Sequence, residues 1–114
     1  MYILEAHPLD AWQDEDNEKD KISISTAKTE ADRCATAETC MTKLSIEIPP
    51  LVDDLSNSTE NAYTAWPDRL YVIDRGGLVA YKSKPGPYGF KPAEVEAALK
   101  KLFPPSPANT AALQ

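Results

Sequence analysis

Positive charge is scarce in this chain of 114 residues. It carries 12 Lys and Arg against 18 Asp and Glu, which gives a net charge of −6 and a pI near 4.7. A nucleic-acid surface requires clustered Lys and Arg that neutralise phosphates. The composition therefore argues against such a surface, and we predict no nucleic-acid partner.

Long apolar runs are also missing. No stretch approaches the roughly 20 apolar residues that a membrane span requires, and no signal peptide precedes the first predicted strand. We therefore expect the chain as given to be soluble. Hydrophobic residues make up 42% and charged residues 26% of the sequence, which is typical of one soluble globular domain.

Two cysteines are too few for the disulfide framework of a small secreted domain. They fall in a segment whose apolar residues recur every three or four positions, so we predict a helix over 26–44 with Thr26 as its cap. In a helix, Cys34 and Cys40 are about 9 Å apart, beyond the roughly 7 Å that a disulfide tolerates. Cys34 lies on the apolar stripe, so we expect a small buried residue, with a redox thiol as the alternative.

The acidic residues are concentrated in segment 10–20, which lacks apolar periodicity. Runs of like charge repel one another and stay hydrated, so this segment is predicted to be a solvated loop. A calcium loop is the alternative reading. The segment has neither the glycine nor the terminal glutamate of an EF-hand loop, and we predict no metal site.

The chain has a single histidine, His7, which follows a strand-like run over 2–6 and precedes Pro8. Ligands of open α/β sheets bind just beyond the carboxyl ends of strands, and histidine readily moves protons near neutral pH. We therefore predict a site at the end of this strand.

The other local patterns predict a short strand, a short helix, a hairpin and a final helix. The hairpin is indicated by two β-rich runs separated by Asp74-Arg75-Gly76-Gly77, because glycines supply the positive φ of a tight turn. The predicted ranges are 51–53 for the strand, 58–65 for the short helix, 69–73 and 78–81 for the hairpin, and 93–103 for the last helix, with Pro92 at its first position.

This order of elements is typical of the back part of a thioredoxin-like domain. We predict an α/β, thioredoxin-like fold that is incomplete, because the first strand and first helix of that architecture have no counterpart here. Residues 1–103 would form the partial domain and 104–114 a flexible tail. The missing strand would leave sheet edges unpaired, so we expect marginal stability of the isolated chain. Pro67, just before the hairpin, is a candidate cis-proline.

At the level of motifs, the chain resembles the iodothyronine deiodinases. The resemblance is colinear over residues 1–103. It rests on Tyr2-Ile3-Leu4-Glu5-Ala6-His7-Pro8-Leu9-Asp10-Ala11-Trp12, Asp32-Arg33-Cys34-Ala35, Val52-Asp53, Asn61-Ala62-Tyr63, Arg69-Leu70-Tyr71-Val72-Ile73, and Tyr81-Lys82 with Gly86-Pro87.

The resemblance implies a role for five residues. Tyr2, Glu5, His7 and Asp53 match family positions held to form a proton relay beside the nucleophile. Arg69 matches a position proposed to bind the polar end of the substrate together with the histidine, and a guanidinium suits a carboxylate because its donors are forked. From the residues alone, each has a structural alternative: packing for Tyr2, a backbone hydrogen bond for His7, and solvation or a surface ion pair for the rest.

The resemblance further implies reductive dehalogenation of iodinated phenols of the thyroxine type, with no cofactor other than a thiol reductant as cosubstrate. The selenocysteine or cysteine nucleophile of the family lies upstream, and nothing in this chain matches its motif. A homodimer and, in animal members, an N-terminal membrane anchor are also implied. The alternative is a noncatalytic or degenerate thioredoxin-like binding module.

Overall fold

The computed structural model describes residues 1–107 of the chain. The chain divides into two compact units, unit 1 from Met1 to Trp66 and unit 2 from Pro67 onward. Within the described residues the structure is mixed α/β, as predicted. Its elements are α1 (Glu15–Lys19), α2 (Glu30–Lys43), α3 (Ser58–Tyr63), β1 (Tyr71–Ile73), β2 (Val79–Lys82) and α4 (Pro92–Leu102).

Helix α1 lies in the acidic segment that was predicted to be a loop. The carboxylate of Asp14 caps it by accepting a hydrogen bond from the Asp16 N–H at 2.8 Å. Acidic side chains in the first turn favour a helix because they face the positive end of its dipole. The prediction of a loop was wrong over this turn. The expected hydration is confirmed, since α1 has no buried residue.

Helix α2 begins later than predicted because Thr29, not Thr26, caps it. The Thr29 hydroxyl accepts from the Asp32 N–H at 3.1 Å, and the Asp32 carboxylate accepts from the Thr29 N–H at 3.0 Å. This capping box satisfies two backbone donors at once. Thr26 is held instead by Asp10, whose Oδ1 accepts from the Thr26 N–H at 2.7 Å and from its hydroxyl at 3.0 Å.

The buried face of α2 differs from the predicted apolar stripe. Arg33 and Ala37 are its buried residues, whereas Cys34 is exposed and Cys40 is half-buried. The prediction of a buried Cys34 was therefore wrong. Each residue turns the side chain by about 100° around a helix, so burial of Arg33 rotates its neighbour Cys34 toward solvent. Both cysteines are free thiols.

The predicted strands over 2–6 and 51–53 are reduced to one parallel bridge between Tyr2 and Val52. The Tyr2 N–H donates to the Leu51 carbonyl at 2.7 Å, and the Asp53 N–H donates to the Tyr2 carbonyl at 2.9 Å. Pairing ends there because the next residues turn into the start of α3. Helix α3 itself agrees with the prediction over 58–65, although it stops at Thr64, whose φ of 50° is left-handed.

Unit 2 contains the predicted hairpin. Strands β1 and β2 are antiparallel, with Tyr71 opposite Lys82 and a bulge between Val72 and Ile73. In the turn, Gly77 has a φ of 81°, which glycine adopts without a steric penalty. The Asp74 carboxylate holds the same turn by accepting from the N–H groups of Gly76 at 2.8 Å and Leu78 at 2.9 Å.

Helix α4 packs against both strands of the hairpin and begins with Pro92, as predicted. Between β2 and α4, the Gly86–Pro87 peptide bond is cis. Within residues 1–107 no other peptide bond is cis, so the prediction of a cis bond at Pro67 was wrong. The trans form is the intrinsic preference of an X-Pro bond unless the local environment favours cis.

Two further sequence predictions concern the ends and the membrane. The predicted flexible tail, 104–114, falls largely on residues 108–114, which lie outside the described residues. Over 1–107, no helix combines the length and the apolar composition needed to cross a bilayer.

Candidate functional site

Tyr2 and Glu5 form a hydrogen-bonded pair in unit 1. The Tyr2 hydroxyl donates to Glu5 Oε2 at 2.9 Å, and both residues are half-buried. Burial raises the pKa of the Tyr2 hydroxyl well above its ordinary range, and the charge and hydrogen bond of Glu5 raise it further. Tyr2 is therefore protonated at neutral pH and acts as a hydrogen-bond donor.

A cavity of about 350 Å³ opens beside this pair, and both side chains line it. This volume is at the lower end of the range for small-molecule sites. Hydrogen bonds are stronger in such partly desolvated surroundings than in water. The apolar part of the wall includes Leu4, Pro8, Ile24 and Trp66.

Arg33 lines the same cavity, although it was not predicted as a site residue. It is only 5% exposed, and its Nη1 donates to the carbonyl of Asp54 and, at 3.4 Å, to that of Asp53. A buried guanidinium requires hydrogen-bond partners to offset its lost hydration. The available signal was its spacing: Arg33 lies four residues before Ala37, on the same face of α2.

Asp53 is also 5% exposed, and its carboxylate caps helix α3. Oδ1 accepts from the Thr59 N–H at 3.0 Å and Oδ2 from the Glu60 N–H at 2.9 Å. Burial alone would raise the pKa of Asp53, but these hydrogen bonds outweigh it and hold the pKa below its ordinary value. Asp53 is linked to Tyr2 through the backbone, since its N–H donates to the Tyr2 carbonyl.

His7 follows the Tyr2–Glu5 segment but does not belong to the cavity wall. Its Nδ1 lies 3.2 Å from the Trp12 carbonyl oxygen, and the two rings meet edge to face with centroids 4.7 Å apart. A carbonyl only accepts hydrogen bonds, so this contact places the proton on Nδ1 and leaves Nε2 for another partner. The predicted backbone hydrogen bond of His7 is thus present.

Arg69 lies in unit 2 and is half-buried. Within residues 1–107 its Nε is buried and has no hydrogen-bond partner. The alternative of an ion pair with Asp68 or Asp74 is not formed in this described part. A buried, unpaired guanidinium donor is costly by about 1–3 kcal/mol, and a bound acceptor would remove that cost.

The structure thus brings together only part of the predicted set. Tyr2 and Glu5 are in direct contact, and Asp53 joins them through the backbone. The exposed thiol of Cys34 is not part of the cavity wall.

The fold and the site define a class: a small mixed α/β domain with a tyrosine–carboxylate pair beside a partly enclosed cavity, an arrangement suited to proton transfer. The model of the iodothyronine deiodinase family matches residues 1–103. The chain belongs to this family.

Individual relatives agree with the family match. The chain is 38% identical over 101 residues to a type I iodothyronine deiodinase of Xenopus laevis, covering 89% of this chain and 38% of that protein. It is 33% identical over 101 residues to a thyroxine 5-deiodinase of Bos taurus, covering 89% and 32%. It is 29% identical over 107 residues to a type II iodothyronine deiodinase of Rattus norvegicus, covering 90% and 39%. The chain therefore spans less than half of each of these relatives.

Proposed function

We propose that this chain is part of an enzyme that removes iodine reductively from iodinated phenols of the thyroxine type. The observation that carries the proposal is the Tyr2–Glu5 pair at the cavity. Family membership supports the same reaction. We further propose a thioredoxin-like arrangement of the complete domain, to which the parallel bridge and the hairpin would both contribute.

The reaction replaces a ring carbon–iodine bond with a carbon–hydrogen bond. In the proposed step, a selenolate or thiolate takes the iodine, the electron pair of the broken bond stays on the ring carbon, and a proton is added there. Two equivalents of thiol then reduce the selenium–iodine or sulfur–iodine bond and become a disulfide. This step regenerates the selenolate or thiolate and releases iodide and two protons, one of which balances the proton added to the ring. The nucleophile is proposed to come from a part of the protein other than this chain, since no segment of it matches the family motif.

The Tyr2–Glu5 pair would deliver the proton. When Glu5 is protonated, its hydroxyl can donate to the Tyr2 oxygen while the Tyr2 hydroxyl donates toward the cavity. Transfer along this pair leaves Glu5 as a carboxylate and returns Tyr2 to its neutral form. Tyr2 keeps its proton at neutral pH, and a neutral hydroxyl can accept and donate at the same time, which supports this role.

The other predicted residues would position the substrate and the relay. Arg69, with its unpaired Nε, and His7, with its available Nε2, are proposed to bind the polar ends of the substrate. Asp53 is proposed to act as a positioning residue, since its carboxylate is occupied by α3 while its backbone holds Tyr2. A homodimer and a membrane anchor, as the family resemblance implies, are part of this proposal for the complete protein.

Iodide release by the complete protein tests the proposal. With thyroxine and a dithiol reductant, we expect Tyr2→Phe and Glu5→Gln each to lower kcat about 100-fold, a typical contribution of a positioned acid. Arg69→Leu should mainly raise KM. Glu47→Gln is the matched control, because Glu47 is exposed and does not line the cavity.

Two results would reject the proposal. Unchanged iodide release by folded Tyr2→Phe and Glu5→Gln variants would exclude the relay. A complete, folded protein that releases no iodide from any iodinated phenol would favour the alternative of a noncatalytic binding module.

A further inference from the structure

Unit 2 contains a concave region whose lining includes none of the residues assigned above. Its volume is about 670 Å³, and it lies between the end of β2, the following loop and the first turn of α4. Three lysines line it: Lys82, Lys84 and Lys91. The net charge of the chain is −6, whereas the lysines outnumber the acidic residues in this wall.

The positive charge of this region is only partly neutralised. Glu94 is the acidic residue of the wall, and its Oε2 already accepts a hydrogen bond from the Tyr81 hydroxyl at 2.7 Å. Its other oxygen, Oε1, is 3.8 Å from Lys91 Nζ, at the long end for an ion pair. Within residues 1–107 Lys84 forms no ion pair. The Nζ of Lys82 lies 5.7 Å from the centroid of the Tyr71 ring, a contact that leaves its positive charge in place. The wall thus has three lysines and one engaged carboxylate.

The loop between β2 and α4, which contains Lys84 and joins Lys82 to Lys91, is held in place by buried contacts. Ser83 is 5% exposed; its hydroxyl accepts from the Leu70 N–H at 2.9 Å and donates to the Lys84 carbonyl at 2.8 Å. Gly89 lies so close to the loop that a Cβ there would be 2.1 Å from the Lys84 carbonyl oxygen. The contacts of Ser83 and Gly89 restrict the backbone of this loop. Less backbone entropy is therefore lost when the lysines bind a ligand.

Two features indicate what kind of anion would fit. Helix α4 has eleven residues and no side-chain cap, so its positive end adds to the field of the lysines at this edge. Tyr88 is 92% exposed and also lines the region. An exposed aromatic ring beside clustered ammonium groups can contact a planar ring while the lysines bind an attached anion.

We infer that this lysine-lined region binds a phosphate ester attached to an aromatic group. Lys82, Lys84 and Lys91 would neutralise the phosphate, and Tyr88 would contact the ring. None of its lining residues has a role in the proposed deiodination, so the inference does not rest on that proposal.

Chemical-shift titration of the full chain tests the inference. With ¹⁵N-labelled protein at low ionic strength, we expect phenyl phosphate to shift the amides of residues 82–94 and to bind more tightly than inorganic phosphate. Lys82→Gln/Lys84→Gln/Lys91→Gln should weaken binding about tenfold or more, because each charge-assisted contact to phosphate is lost. Tyr88→Ala should remove the preference for phenyl phosphate while leaving the binding of inorganic phosphate intact.

The matched control is Lys100→Gln/Lys101→Gln, which removes two lysines from the last turn of the same helix. It should change affinity less than about twofold, since screening limits charge effects to near neighbours. Equal losses in both sets of variants, shifts scattered over the chain, or no saturable binding would overturn the inference. A lipid phosphate is distinguished by vesicles of phosphatidylcholine with phosphatidic acid: lysine-dependent vesicle binding without phenyl phosphate binding would also overturn it.

Discussion

The two units of this chain differ in charge and in what stabilises them. Unit 1 has fourteen acidic and five basic residues, whereas unit 2 has four acidic and seven basic residues. Over the described residues, unit 1 has three helices, one isolated bridge between Tyr2 and Val52, and many side-chain-to-backbone hydrogen bonds. Unit 2 has a hairpin covered by a helix. Unit 1 therefore depends on individual polar contacts, and unit 2 on regular backbone pairing and packing.

The sharpest test of this contrast is Asp53→Ala in unit 1. The change removes a buried carboxylate that accepts hydrogen bonds from two N–H groups of α3, so we expect unfolding free energy to fall by about 3 kcal/mol. Denaturant titration followed by tryptophan fluorescence reports on this unit, because Trp12 and Trp66 both lie in it. Asp14→Ala, at the half-buried cap of α1, is the control and should cost about 1 kcal/mol or less.

Arg33→Met tests the contact between α2 and the segment that starts α3. It keeps much of the side-chain volume but removes the donor to the Asp53 and Asp54 carbonyls, so we expect a loss of about 2 kcal/mol. The same fluorescence measurement applies. Lys43→Met, at the exposed end of α2, should change stability by less than about 0.5 kcal/mol. Equal effects of the two substitutions would contradict a structural role for the arginine.

Gly89→Ala addresses unit 2. The new methyl group would meet the Lys84 carbonyl, so the loop must move, and we expect a loss of about 1.5 kcal/mol. Faster hydrogen exchange of the amides in β1 and β2 would show this loss of stability. The denaturation curve followed by the tryptophan fluorescence of unit 1 should stay unchanged. Gly76→Ala is the control, because its methyl group would be 3.2 Å from only the tip of the Asp74 side chain. A matching effect in unit 1 would mean that the units do not unfold separately.

The smallest expected effect is the change in the pH dependence of stability when the carboxyl group of Asp54 is removed. Hydrogen bonds from Ser58 and Ser56 lower the pKa of Asp54 to about 2, below its unfolded value near 3.9. A lowered folded-state pKa stabilises the protein above the unfolded value, and that stability is lost as pH falls from about 4 to about 2. Asp54→Asn should flatten this part of the stability curve of unit 1. Asp20→Asn, on the exposed end of α1, is the control and should not change the slope of unfolding free energy against pH in this range.

Unit 2 was largely predictable from the sequence because its signals are local. Gly76 and Gly77 specify the turn between β-rich runs, and Pro92 marks the start of α4, so a few adjacent residues were enough.

Unit 1 was less predictable because its contacts join distant residues. Arg33 and Asp54 are 21 residues apart, and Thr26 and Asp10 are 16 apart. Periodicity cannot reveal such partners. For that reason the sequence pattern wrongly predicted that Cys34 lies on the buried face of α2 and that Thr26 caps this helix. Local pattern directed attention to the end of the first strand-like run, where Glu5 and His7 lie, whereas Tyr2 was indicated only by the family resemblance.

The central claim is that Tyr2 and Glu5 act as one proton-delivering unit. A double-mutant cycle on kcat for iodide release by the complete protein, with Tyr2→Phe, Glu5→Gln and both together, tests it most directly. We predict strong non-additivity, with the double variant no slower than the slower single variant, because either change already breaks the relay. Effects that multiply would show that the two residues act independently and would contradict the account.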